Sequence, residues 1–301
     1  MSAPARTSTR GRDFAWILVG YLVASGAAAL VAWQLEGQPL WRAILAADVA
    51  ATVVIFGFSK AFDNSSFYDA YWSVAPMLIA PAIALREASA PAPLARRIVV
   101  SALVLAWGAR LTWNWARGWQ GFGHEDWRYV EQRQKTGRLY WLVSFFGLHF
   151  MPTALVFGGC LPLFPALATG SAPLGPLDAL GLVVTAGAIL IEAIADEQLL
   201  AFRKRAHPKE TIMAEGLWSR CRHPNYLGEL SFWWGIFLFG LAADPGSWAF
   251  GAGALAITLL FVFISVPLLD ARSLARRPGY AAHVARVPAL FPRLLGGRPR
   301  A

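Results

Sequence analysis

The sequence predicts an all-α integral membrane protein, a single bundle of about eight membrane-spanning helices. Three observations predict it. First, of 301 residues, 56% are hydrophobic and only 15% charged, where soluble domains carry about 25% charged residues. Second, 14 Trp and 19 Phe suit the aromatic belts of a bilayer protein. Third, the basic residues behind the net charge of +9 lie between apolar runs. That placement favours membrane topology and argues against nucleic acid as a partner.

A membrane helix needs about 20 mostly apolar residues. The stretches 14–35, 40–59, 71–86, 97–116, 139–161, 177–203, 225–242 and 247–269 meet or approach that length. The first follows the basic segment MSAPARTSTRGRD. Its apolar run is longer than the roughly 7–15 residues of a signal-peptide core, so we read an anchor that is retained. The third and seventh are short and begin with polar residues. The fourth carries Arg110 and Asn114, with Arg117 directly after it, and the fifth His149. The sixth carries Glu192, Asp196 and Arg203, and the eighth runs into the basic tail. With the N-terminus in the cytoplasm, 22 of the 27 Lys and Arg fall on the cytoplasmic side, in 1–13, 60–70, 117–138, 203–224 and 270–301. The opposite side receives Arg42, Arg86, Arg96 and Arg97, and Arg110 lies within a span. This bias places both termini in the cytoplasm, as in a protein of a bacterial inner membrane. The expected organisation is a basic N-terminus (1–13), one transmembrane domain (14–292) and a basic tail (293–301). Cys160 and Cys221 fall on opposite sides, so no disulfide is expected.

The polar motifs gather at one end. DNSSFYDAYWSVAP (63–76), RLTWNWARGWQGFGHEDWRY (110–129), EAIADEQLLAFR (192–203), the collar GLWSRCRHPNYLGELSFWWG (216–235) and DARSLARRPGYAAHVARVPALFP (270–292) all meet the cytoplasmic face. The opposite loop, LPLFPALATGSAPLGPL, carries no charge at all. A donor-rich collar at the mouth of a membrane helix is costly unless it meets water or a ligand. An active site toward the cytoplasmic side follows.

Spacings of four and seven put Glu192, Asp196 and Arg203 on one helix face. Carboxylates there suit ribose hydroxyls, and an arginine suits phosphate; an interhelical pair between Asp196 and Arg110 explains them too. Arg110, Asn114 and Arg117 share a face of the fourth span and suit an anionic ligand, although Arg117 can also reach lipid headgroups. Tyr68, Asp69 and Tyr71 open the third span. Of these, Tyr71 and Asp69 are the candidate proton donors. GWQGFG follows no strand and is no dinucleotide fingerprint. The five His lack metal-ligand spacing, so no metal is expected. His149 reads as a packed core residue.

RHPNYLGE, the D-x6-R of Asp196 and Arg203, and RPGYAAHVARVPALFP resemble the C-terminal half of the steroid 5-alpha-reductase and sterol reductase superfamily. SSFYDAYWSVAP and GHEDWRY resemble its DUF1295 branch. The resemblance implies a membrane-embedded reductase with NADPH entering from the cytoplasm. Its hydrophobic substrate, of steroid, sterol or isoprenoid kind, would arrive from the bilayer among membrane lipids. Asp196, Arg203, Asn225, Gly228 and Glu229 carry over as cofactor contacts, and Tyr280 matches the tyrosine of the tail. Arg110, Asn114, Arg117, Arg220, His223 and Tyr226 complete the expected cofactor set. Two departures are plain. Glu192 stands where the steroid enzymes have Asn, and no Gln-Glu pair is present to grip a substrate ketone. The collar and tail also resemble isoprenylcysteine methyltransferases, which use S-adenosylmethionine. Arg203 and Arg220 favour the phosphate-bearing cofactor. A lipid-binding scaffold is the non-enzymatic alternative.

Overall fold

The computed structural model describes residues 10–86 and 91–292. The predicted tail at 293–301 and most of the N-terminal segment lie outside the described residues. Among the described residues the regular elements are all helical. The first hairpin is α1 (Arg10–Gln34) and α2 (Leu40–Ala61), and the second α3 (Tyr71–Arg86) and α4 (Leu94–Gly118). A short amphipathic α5 (Trp127–Thr136) leads into α6 (Tyr140–Val143), a π-helical stretch (Ser144–Phe150) and α7 (Met151–Cys160). Then come α8 (Pro176–Lys204) and α9 (Pro224–Ala243), the most extensively packed pair. The last are α10 (Gly251–Leu260), a π turn (Phe261–Ser265), α11 (Val266–Arg276) and α12 (Tyr280–Arg286).

Among the described residues six segments are long and apolar enough to cross a membrane: Arg10–Gln34, Leu40–Ala61, Trp127–Thr169, Pro176–Lys204, Pro224–Ala243 and Pro245–Arg276. The eight expected stretches are all helical, but α3 and α4 fall outside that set. α3 has 16 residues with prolines at 76 and 81. α4 carries Arg96, Arg97, Arg110 and Arg117. The expectation that the seventh stretch is short is corrected, since α9 runs 20 residues. Its N-terminal Pro224 needs no donor and has a preset helical φ.

Arg96, placed above on the side opposite the cytoplasm and outside the spans, sits in α4 at 1% exposure. Its guanidinium binds both oxygens of Asp178 at 2.6 and 2.9 Å and the carbonyls of Ala172 and Pro173. Every lobe of the charge is satisfied, which makes its burial tolerable. The largest core cluster joins α4 to α9. Trp107 stacks on Phe232 at 4.4 Å and meets Trp233 edge-on at 5.2 Å. Close approach of α9 to α8 needs Gly228, because a Cβ there would collide with the Glu192 side chain and the Ala188 carbonyl. A second cluster, around Phe67, Tyr68 and Tyr71, ties α1 and α2 to the start of α3. Arg10 anchors α1 by donating to the Ala116 carbonyl at the end of α4.

Candidate functional site

Between these elements lies a cavity of about 680 Å³. The size is within the roughly 300–1,000 Å³ of small-molecule sites. Its walls come from the start of α3, the end of α4, α5 to α7, α8, α9, and α10 to α11. Its lining is mixed in character. Leu148, Met151, Leu155, Ile257, Leu260 and Ile264 supply apolar surface. Carboxyl groups dominate the polar part: Asp69, Asp126, Glu131, Glu192, Asp196 and Glu229, against the cations Arg128 and Lys135.

The deepest polar layer is built on α4, α8 and α9. Arg110 pairs with Glu192 at 2.7 Å and with Asp196 at 2.8 Å. Asn114 donates to the same Asp196 oxygen at 2.9 Å. Spacing of one turn on each helix creates this: Arg110 and Asn114 face Glu192 and Asp196 across the α4–α8 contact. Glu229, one helix over, accepts an indole N–H on each oxygen, from Trp107 at 3.0 Å and Trp233 at 2.7 Å. Glu192 keeps one oxygen, Oε2, buried and without a protein partner. A buried, unsatisfied carboxylate oxygen on a cavity wall is a site for a ligand's N–H or O–H.

At the rim, Asp69 accepts from the Tyr129 hydroxyl at 2.7 Å. Burial, opposed by that hydrogen bond and by the Arg128 charge, pushes its carboxyl up to about 6. Tyr68 also lines the cavity, and its hydroxyl meets the Thr153 hydroxyl at 2.8 Å. Burial pushes its phenol upward.

The expected site residues divide. Asp69, Asn114, Asp196, Asn225, Tyr226 and Glu229 meet on the cavity wall. Arg110 stands behind them as counter-charge, and Arg117 bonds Glu197 and Asn114. Tyr71, expected as a donor, does not line the cavity; its hydroxyl donates to Asp48 at 2.9 Å. Arg203 and Arg220 are exposed and outside the cavity wall. Gly228 is a packing contact between α8 and α9. His223 and Tyr280 converge with Arg222 on Asp270, at 3.1, 2.8 and 2.7 Å. Burial, with Asp270 beside it, pushes the Tyr280 phenol up to about 12. This knot ties α12 and the segment directly after it to the collar: Arg222 and His223 also donate backbone N–H groups to Pro288 and Ala289.

Sequence reasoning missed Trp107, Trp233 and Asp48. Trp107 and Trp233 read as core aromatics, and nothing in a one-dimensional pattern pairs their N–H groups with Glu229. Asp48 was visible as an acid within an apolar span, a signal in its own right. Cys160 and Cys221 are free and buried.

A family model described as "Protein of unknown function (DUF1295)" matches residues 55–287. A protein of Schizosaccharomyces pombe, described as uncharacterized, is 27% identical over 267 residues, covering 81% of this chain and 77% of that protein. No solved structure matches.

Proposed function

The chain belongs to the DUF1295 family, and on that premise we propose that it is a membrane-embedded, NADPH-dependent reductase of an activated C=C bond in a hydrophobic substrate. One observation carries this reading: a single cavity is lined both by carboxyl groups and by apolar side chains, some of which are also exposed on the surface of the apolar helices. Met151, Ile264 and Leu268 both line the cavity and are exposed on the outside of the helices. A steroid, sterol or isoprenoid molecule would pass between them from the bilayer.

The donor set fits the cofactor. Glu192 Oε2, with no protein partner, suits a ribose hydroxyl or a carboxamide N–H. Asp196 and Asn225 flank it, and Arg128 and Lys135 offer positive charge for phosphates toward the rim. When bound, the reduced nicotinamide supplies a hydride to one carbon of the double bond. Tyr68 then gives its hydroxyl proton to the other carbon. Asp69, held by Tyr129, orients a polar group of the substrate at the rim. Trp72 and Trp233 on the wall exclude water from the reacting atoms.

A second reading has its own observation. Arg203 and Arg220, the arginines expected to bind phosphate, stand outside the cavity, and its wall carries more carboxyl groups than cations. That balance also suits the sulfonium of S-adenosylmethionine, as an isoprenylcysteine-type methyltransferase requires. NADPH, NADH and S-adenosylmethionine titrated separately onto the detergent-purified protein decide between them. Binding of NADPH, lost in Asp196→Asn and weakened in Glu192→Gln, supports the reductase. Binding of S-adenosylmethionine alone replaces it with the methyltransferase.

A further inference from the structure

We propose that Glu192 and Glu229 make the cavity hold the oxidised form of the cofactor more tightly than the reduced form, by attracting the positive charge that hydride transfer leaves on the nicotinamide ring. The proposal rests on the reductase reading and deepens it.

The two acids share one layer of the wall. Glu192 on α8 and Glu229 on α9 both line the cavity, and each is 4% exposed. They lie where the two helices touch: a Cβ on Gly228, the neighbour of Glu229, would stand 2.7 Å from Glu192 Cβ.

Charges in this layer do not cancel. Arg110 is one cation paired with two carboxylates, Glu192 at 2.7 Å and Asp196 at 2.8 Å. Arg117, two turns further along α4, is paired with Glu197. Glu229 enters no ion pair among the described residues. Its partners are the neutral indoles of Trp107 and Trp233, one on each oxygen. Three carboxylates therefore stand against one guanidinium. The indoles fix Glu229 without neutralising it. Buried charge of one sign is costly until a counter-charge meets it. Glu192 Oε2 adds an independent observation, being buried with no hydrogen-bond partner. A neutral amide side chain can accept a hydrogen bond too; what the uncompensated charge adds is a preference for a cation. Tyr68, Trp72, Tyr226 and Trp233 line the same cavity, and aromatic rings also draw cations.

The reaction supplies that cation. Hydride joins one carbon of the double bond and the Tyr68 proton joins the other. One positive charge remains on the ring, and Tyr68 regains a proton from water after product leaves. The two forms of the cofactor differ in this ring charge and share the phosphates assigned above to Arg128 and Lys135. A tighter hold on the oxidised form makes the bound reduced form a stronger hydride donor. Each tenfold of preference lowers the potential of the bound two-electron couple by about 30 mV.

Separate calorimetric titrations of NADP+ and NADPH onto the detergent-purified full chain test this without turnover. Wild type should bind NADP+ about tenfold or more tightly than NADPH. Glu192→Gln keeps the shape and an acceptor but removes the charge, and should cut that ratio about threefold or more. Glu229→Gln, checked for folding by its melting curve, should do the same. Lys135→Ala should weaken both nucleotides alike and leave the ratio unchanged. Hydrogen bonding or packing alone at Glu192 would move both affinities together, so the ratio reports the charge. A wild-type ratio near one, or a wild-type ratio retained in both glutamine variants, overturns the proposal and leaves the reductase reading standing. Binding of neither nucleotide to folded wild type overturns that reading, and the proposal with it.

Discussion

Trp107 donates its indole N–H to Glu229 Oε2 at 3.0 Å from within the aromatic core. Trp233 holds the other oxygen at 2.7 Å. The carboxylate is therefore fixed by two side chains that are themselves locked by stacking, and it presents a rigid acceptor at the cavity wall. Glu229→Ala strands two buried indole donors, each a loss of about 1–3 kcal/mol. We expect a destabilisation of about 2–5 kcal/mol by denaturant or thermal melting in detergent. Glu229→Gln keeps one acceptor and should lose about half as much.

Arg110 faces two carboxylates, Glu192 and Asp196, at 2.7 and 2.8 Å. Removing the cation leaves two acids without their counter-charge, so Arg110→Met should cost about 3–5 kcal/mol. Adding Asp196→Asn and Glu192→Gln to that variant should recover most of the loss, because the uncompensated charges go with it. Melting curves of the single and triple variants check this. A triple variant as unstable as the single one would mean that Arg110 stabilises by its contacts alone.

The membrane character and the helices were legible in composition and run length, since both follow from the bilayer's thickness. The count was less so. α3 is short and carries two prolines, and α4 is a helix whose buried Arg96 is satisfied by Asp178; a hydropathy window cannot see the partner. At the site, Asp196, Asn225 and Glu229 were legible because acids and amides at helical spacing in an apolar span demand a cavity. Arg203 and Arg220 stand outside the cavity wall for a physical reason: an arginine past a helix end is equally at home in water. Which way such a side chain turns is decided by tertiary packing, as is the turn of Tyr71 toward Asp48 and away from the chamber.

Asp69 makes stability depend on pH. Its folded value of about 6 lies above the ordinary 3.8, chiefly through burial. Between those values the folded protein binds the proton more tightly than the unfolded chain. The stabilisation is full below the ordinary value and is lost as pH rises through about 6. The melting temperature should therefore fall across that window, by the equivalent of about 1–3 kcal/mol. In Asp69→Asn that component of the slope should vanish. Melting temperatures of the two proteins from pH 4 to 7 give the comparison; parallel curves would remove Asp69 from the account.

Charge at the rim separates the two cofactor readings. Arg128 and Lys135 line the cavity, whereas Arg203 and Arg220 do not. If phosphates bind there, Arg128→Ala or Lys135→Ala should weaken NADPH about tenfold each, roughly 1.4 kcal/mol. Arg203→Ala and Arg220→Ala, whose side chains do not line the cavity, should then change NADPH affinity less than about twofold. S-adenosylmethionine carries no phosphate, so under the methyltransferase reading the rim variants should leave its affinity unchanged or raise it by removing a like charge. Isothermal titration of the four variants reads both. A large loss in Arg203→Ala or Arg220→Ala with none in Arg128→Ala would move the phosphate site out of this cavity to the exposed face where those two arginines lie.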